Sequence, residues 1–327
     1  MLQHDPNIQT VRRIGADVCN WGRWGGEDQL GTLNLITPEM VVGASNLIRR
    51  GRSFSLAIPL DSNGPQTGGW GRFNPIHVML RDGCDAVTGT TVRDFYDGFD
   101  GYVRGTDDLL ILPLQSSTQW DALAHMIFEE KMYNGYEATL VSSRGAMRND
   151  IAQARAHVVG RGVLLDIPRW KGKPWLDGGE AISGDDLDAC ARSQGVSVGV
   201  GDIVLVRTGQ MGMVKANGHW GDYAAGYSAK APGLGLESVR WIREKDLAAV
   251  ATDTWGAEVL PTETADVSMP LHILLIVQMG LTLGEIFDLE ELADDCADDG
   301  VYEFFFSAPP LPITRAVGSP VNPIAVK

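Results

Sequence analysis

Between Gln115 and His125 the chain reads QSSTQWDALAH, which places two amides, a carboxylate and an imidazole at positions of one parity: Gln115, Gln119, Asp121 and His125. In an extended backbone successive side chains alternate between faces, so these four point one way. Thr118, Trp120, Ala122 and Ala124 then point the other way, into packing. A helix would scatter the four around its axis. The grouping is that of a polar site, and it admits more than one use. The side chains can cap the end of a strand as a hydrogen-bonded network, or Asp121 and His125 can act as an acid–base pair, since an imidazole titrates near neutral pH.

The elements that must carry this patch are legible from hydrophobic period and turn chemistry. The apolar run Leu109 to Leu114 leads into it and reads as a buried strand. Continuous apolar runs at Gly162–Ile167 and at 203–206, after Gly201-Asp202, have the length of strands covered on both faces. Ser53–Leu60, Pro75–Arg81, Leu247–Thr252 and Val301–Ser307 read as further strands, and Gly284–Phe287 as a short extended piece. Helices are expected from Pro38 to about Arg50 behind a Thr37 cap, from Ser183 to Gly195, from Leu236 to Glu244, and from Pro270 to Gly280 with His272 in the first turn. Leu289–Asp295 is a further helix, Met126–Lys131 a helical turn, and Arg148–His157 holds a short helix. Asp61–Asn74 is a Gly/Pro/Asn loop, and Gly209–Gly235 is a long Gly-rich one carrying Trp220, Tyr223 and Tyr227. The residues after Ser307 form a Pro-rich tail. With no internal repeat or linker, residues 1–327 read as a single α/β domain on which an N-terminal extension of about 50 residues packs.

Bulk properties narrow the function classes. The chain of 327 residues carries a formal charge of −15 with a sequence pI near 4.8, a balance that repels phosphate backbones and argues against nucleic acid. Its four cysteines (Cys19, Cys84, Cys190, Cys296) form no C-x-x-C pair, which argues against a disulfide framework or a thiolate zinc site. No signal pattern and no bilayer-length apolar run is present, so a cytoplasmic protein without membrane contact is expected. A phosphate-binding P-loop and a G-x-S-x-G nucleophile elbow are both missing, and the glycines around Gly22–Gly26 lack a strand–turn–helix setting.

The motif resembles the metal motif of the cyclase family, which includes bacterial kynurenine formamidase and isatin hydrolase. The family pattern is H-x-G-T-H-x-D-x-P-x-H. Thr118, Asp121 and His125 match it in place, whereas Gln115 and Gln119 stand where the family has histidines, Ser117 replaces its Gly and Leu123 its Pro. RGVLLDI (161–167), GDIVLVRTG (201–209), APGL (231–234), ATDT (251–254) and the pair His272 and Glu285 resemble family landmarks in family order. The Gln form is most similar to the trans-dienelactone hydrolase branch.

The resemblance implies a swivelling β/β/α fold of mixed sheets with flanking helices, assembled as a homodimer or homotetramer. It also implies a divalent metal, zinc or manganese, on Gln115, Gln119 and Asp121, with His125 as the proton-transfer residue. His272 and Glu285 would complete the pocket or hold metal themselves. Amide oxygens favour a harder ion than zinc. The expected activity is metal-dependent hydrolysis of a C–O or C–N bond in a small lactone, cyclic amide or N-acyl compound. Trp21, Trp24, His77, Trp120 and Trp255 are candidate walls for a flat substrate. Two alternatives stand beside it: a metal-free relative that only binds a small metabolite, and a lyase or isomerase using Asp121 and His125.

Overall fold

The fold is built on apolar strands that can be buried only if both their faces are covered. The structure is a computed structural model, and it describes residues 7–89, 104–221, 223 and 230–327. Its main sheet has nine strands. In chain order they are β1 (Ser53–Ser55), β2 (Gln119–Asp121), β3 (Val159–Asp166), β4 (Ile203–Arg207), β5 (Ala249–Thr252), β6 (Thr282–Glu285), β7 (Glu303–Ser307), β8 (Gly318–Pro320) and β9 (Ile324–Val326). Across the sheet they run β1-β9-β7-β3-β4-β5-β6-β2-β8. The centre, β3 to β6, is parallel, and every pairing outside it is antiparallel. The fold is therefore a mixed α/β one, with flanking helices and three small two-stranded sheets.

Alternate residues of the central strands feed two cores, as the period of two requires. Val163, Leu165, Val204, Val206, Val250 and Leu283 point to one face; Leu164, Ile203, Leu205, Ala249 and Ala251 point to the other. On the first face lie α1 (Ile8–Val18), α3 (Gly184–Gln194) and α5 (Ser238–Glu244), numbered with α2 (Pro38–Ser45) and α4 (Gln210–Asn217) in chain order. Next comes α6, an α-helical turn at Pro270–His272 that widens into a π-helix over Ile273–Met279, all buried except Gln278. The last helix is α7 (Glu290–Asp299). Stretches of π-helix often occur at functional sites, and this one begins immediately after His272. The N-terminal helix α1 packs on the π-helix and on α5 through Val11, Ile14 and Val18.

Most expected elements are present, with Ser183 forming a reciprocal capping box and Thr37 capping α2. Several differ. The helix behind Thr37 stops at Ser45, and only Ser53–Ser55 of the Ser53–Leu60 run is strand. Met126–Lys131 is not helical; an isolated bridge joins Phe128 to Lys131. The Pro-rich tail supplies two strands, β8 and β9, and Pro320 is tolerated because β8 lies at the sheet edge. The apolar run before the polar patch is also not a buried strand. Asp107–Ile111 pairs with Ile76–Arg81 as a two-stranded ribbon whose side chains are largely exposed. Tyr227 lies outside the described residues. Among the described residues, no helix is long and apolar enough to cross a membrane.

Candidate metal centre

Strand β2 is three residues long and fully buried, held between β6 and β8. Trp120 faces the core behind the sheet, where its indole meets Phe287 edge-on at 5.3 Å and its Nε1 donates to the Ala308 carbonyl at 2.9 Å. Gly284, its partner on β6, has no room for a side chain: a Cβ would lie 2.6 Å from the Trp120 ring and 2.7 Å from the Ala251 Cβ. With Trp120 fixed, Gln119 and Asp121 must face the other way. Register places Gln119 opposite Glu285 and Asp121 opposite Leu283. Glu285 is the last residue of β6, so the site forms at the carboxyl ends of the parallel strands, where ligands of open α/β sheets are usually bound.

Gln119 donates from Nε2 to Glu285 Oε2 at 2.7 Å, leaving its own Oε1 buried and without a partner. His272 reaches the same carboxylate through Nε2, 3.0 Å from Glu285 Oε1, and its Nδ1 lies 2.5 Å from Glu258 Oε1. Asp121 stands beside them. One ligand atom each from Asp121, His272 and Glu285 falls within 4.8 Å of the others, and all three residues are buried. His125 is reached through a turn rather than along a strand, its backbone N–H donating to the Ala122 carbonyl. Its Nε2 then sits 3.8 Å from Asp121 Oδ1. Gln115 lies in the turn before β2 against Gly318, the β8 residue paired with Asp121.

The electrostatics of the cluster are unusual. Both oxygens of Asp121 are buried with no hydrogen-bond partner among the described residues. Burial first, and the Glu285 charge second, hold its carboxyl well above the ordinary aspartate range. Burial alone would discharge His272, but its bonds to Glu258 and Glu285 override that and raise its pKa to about 10. Burial favours protonation of Glu285 as well, yet the His272 contact outweighs it and lowers the pKa. His125 goes the other way: burial and the nearby His272 charge lower it to about 4, so it is a neutral imidazole at pH 7. An ionised carboxylate with no donor in the interior is costly, so the group either keeps its proton or takes a cation. A divalent ion that displaces the protons of Asp121 and His272 would fit among Asp121, the free Gln119 oxygen, Glu285 and His272.

Comparison with known proteins gives the chain its family. A family profile described as "Putative cyclase" matches residues 54–259. A solved structure described as a novel cyclase is 41% identical, covers 95% of this chain and 100% of its own, and superimposes with a TM-score of 0.84. The chain belongs to the cyclase family. Two structures show the shared cyclase fold at lower identity. One is an isatin hydrolase bound to the product analogue thioisatinate, 16% identical with a TM-score of 0.57 over 89% of this chain and 98% of that one. The other is isatin hydrolase A from Ralstonia solanacearum, 18% identical with a TM-score of 0.59 over 89% and 97%. No curated protein matched the sequence.

Within this cyclase chain the candidate pocket residues separate. Trp255 lies beside the site, its Nε1 donating to Gln66 Oε1 at 3.3 Å. Trp120 cannot line a pocket because it is fully buried on the opposite face of the sheet. His77 sits on the exposed ribbon, paired with Asp108 at 2.8 Å. Trp21 is tied to the π-helix through the Val277 carbonyl, and Trp24 is covered by the Arg23 guanidinium, so both belong to the N-terminal packing. Sequence reading gave no role to Glu258, to Gln66 or to Arg72, whose guanidinium lies 5.0 Å from the centre of the Trp255 ring. Gln66 bridges to the Gln115–Gln119 turn by donating to the Ser116 carbonyl at 2.9 Å. The available signal for Glu258 was one acid in front of Val259-Leu260, where a charge needs a partner.

Proposed function

We propose that the protein is a metal-dependent hydrolase cleaving a C–O or C–N bond of a small lactone, cyclic amide or N-acyl compound. The observation that carries the reading is the Asp121 carboxylate, buried without a single donor beside Glu285, His272 and the free oxygen of Gln119. A divalent ion held there by Asp121, Glu285, His272, Gln119 and Gln115 would polarise a carbonyl and bring water toward ionisation at neutral pH. Two carboxylates, amide oxygens and one imidazole favour manganese over zinc. The protein's own groups supply the rest. His125, neutral at pH 7, takes the proton from the attacking water and returns it to the leaving oxygen or nitrogen. Glu258 fixes the His272 ring by holding Nδ1, which leaves Nε2 facing the site. The relatives named isatin hydrolase have the same fold and support a hydrolytic reading.

The exposed ribbon supports assembly with a second copy. Ile76, Val78, Leu80 and Ile111 are each at least 40% exposed on a two-stranded element too small to be stable alone. Light scattering should find a dimer or tetramer, and Leu80→Asp should shift it toward monomer; a monomeric wild type would remove this part of the reading.

The direct test of the activity is metal content and turnover. Purified protein should hold a stoichiometric divalent ion, and chelation should abolish hydrolysis in a screen of lactones, N-formyl compounds and cyclic imides, with manganese restoring it. Turnover that survives chelation, without water entering the product, would point instead to Asp121 and His125 working as a metal-free acid–base pair.

A further inference from the structure

Two halves of the site are tied together by one side-chain amide. Across the sheet β6 stands between β5 and β2, so the loop after β5 and the turn before β2 lie on either side of the strand end that carries Glu285. Trp255 belongs to that loop and Ser116 to that turn. Gln66 reaches both: its Nε2 donates to the Ser116 carbonyl at 2.9 Å, and its Oε1 accepts from Trp255 Nε1 at 3.3 Å. An indole N–H only donates and a carbonyl only accepts, so the two partners fix which end of the amide faces which. All three residues are buried, where a donor or acceptor left unpaired is costly.

The side chains of the turn do not hold it by themselves. Gln115 Nε2 and the Ser116 and Ser117 hydroxyls are buried with no partner among the described residues. The turn is closed through its backbone, by the Ser116 N–H on the Pro113 carbonyl at 3.0 Å. Thr118 then ties its end to the residue after β6, accepting from the Ile58 N–H at 2.9 Å and donating to the Ile286 carbonyl at 2.6 Å. The Ile286 N–H donates to the Thr254 carbonyl at 3.0 Å. That path keeps loop and turn folded without Gln66, so what the amide adds is the pose of the Trp255 ring relative to Gln119 and Asp121. Gln66 is itself clasped by Asn74, which accepts from its N–H at 2.7 Å and donates to its carbonyl at 3.1 Å. Residue 64 is glycine, where a Cβ would come 2.7 Å from that Asn74 oxygen.

We propose that Gln66 is a positioning residue that couples the Trp255 ring to the metal-side turn, so that ion affinity at Gln119 and Asp121 and the setting of the ring depend on one amide. The coupling rests on the metal-dependent reading above. It is reciprocal: whatever the ring contributes to ion affinity, the ion returns to the ring. Trp255 is in this way set at a fixed angle beside the site before a substrate arrives, which is what a supporting hydrogen bond behind a binding wall achieves.

The test takes wild type, Gln66→Met, Trp255→Phe and the double variant, each stripped with chelator. Calorimetry with manganese alone reads ion affinity, and thermal unfolding checks that the metal-free variants melt like wild type. Gln66→Met keeps the length of the side chain and removes both hydrogen bonds, so it should weaken manganese binding about tenfold. Trp255→Phe keeps an aromatic ring, removes one bond and should cost a smaller factor. Because both act through one amide, the double variant should bind no more weakly than Gln66→Met. The indole N–H resonance of Trp255, assigned by its loss in Trp255→Phe, should move in wild type when diamagnetic zinc is added and stay in place in Gln66→Met at saturating zinc. Unchanged manganese affinity in Gln66→Met, or losses that add in the double variant, overturn the coupling. If Gln66→Met melts early, Trp255→Phe and the wild-type resonance decide: full affinity in the one and no response to zinc in the other overturn it. A wild type that binds neither ion brings down the metal-dependent reading together with the coupling. Coupled binding with no hydrolysis of any lactone or amide would sink the hydrolase reading and leave the coupling standing.

Discussion

Of the aspartates buried in or beside this sheet, three are treated very differently. Asp166, at the end of β3, receives Arg207 Nη1 at 2.7 Å and Arg169 Nε at 2.9 Å, and Arg207 passes on to Glu290 at 2.8 Å through two further nitrogens. Asp253, just after β5, accepts from the Thr208 N–H and hydroxyl, both at 2.7 Å, and from the Gly209 N–H at 2.8 Å. Asp121, as deeply buried as either, accepts from no donor among the described residues. A carboxylate kept for architecture comes with its donors, because an unpaired one costs several kcal/mol. One that lacks them is stored strain whose relief is a ligand. The contrast separates the structural charges of the sheet from the functional one.

The sharpest way to break that contrast is to neutralise one member of each class. Asp166→Asn takes from Arg207 and Arg169 the buried carboxylate they share and should cost about 3 kcal/mol or more of stability by denaturant unfolding, with metal binding unchanged. Asp121→Asn should do the reverse. Metal-stripped protein should melt no lower than wild type, while manganese no longer raises the melting temperature and activity falls roughly a thousandfold. If Asp121→Asn proves as destabilising as Asp166→Asn, the orphan carboxylate is structural after all.

His125 comes next. Its replacement by Ala should lower kcat about a hundredfold while metal content stays at wild-type level. The same residue leaves a signature in stability. Its folded pKa is about 4, against an ordinary value of 6.5, so below pH 6.5 the unfolded chain takes up a proton that the fold refuses. Stability of the metal-stripped protein should therefore rise from pH 4 to pH 6.5, by roughly 3 kcal/mol at most from this group. In His125→Ala that part of the slope should vanish. An unchanged slope would mean that the imidazole charges as readily in the fold as in the unfolded chain, so that burial does not hold it neutral.

The same physical distinction explains what could be read from sequence. Gln119 and Asp121 were legible because parity in a strand depends only on backbone geometry, and the structure keeps them on one face with Trp120 on the other. The pair His272 and Glu285 came through family resemblance, and the register of β6 against β2 is what brings Glu285 to Gln119. His125 shows where parity fails, since a turn and not an extended backbone returns it to Asp121. Leu109–Ile111 looked like core because it is apolar, yet composition cannot tell a buried strand from an exposed ribbon. Glu258, Gln66 and Arg72 lie on loops that converge only in the folded chain. A Pro-rich tail gives little sign that Gly318 will form the strand beside Asp121.

That glycine supplies the finest discrimination of the comparison. Gly318 has no left-handed backbone to protect, so alanine is conformationally acceptable there. A Cβ would nevertheless overlap the Gln115 amide and press to 3.1 Å from the Trp120 carbonyl oxygen. Gln115 is the far end of a flexible side chain, so it should swing away while the strand stays in place. If Gln115 merely caps the turn, Gly318→Ala should shift stability slightly and leave the metal untouched. If Gln115 helps to hold the cation, manganese affinity should fall about tenfold. Gln115→Ala should show the same loss, and the double variant should be no worse than either single, because both act through one amide. Additive losses in that cycle would place the effect of Gly318 somewhere other than Gln115.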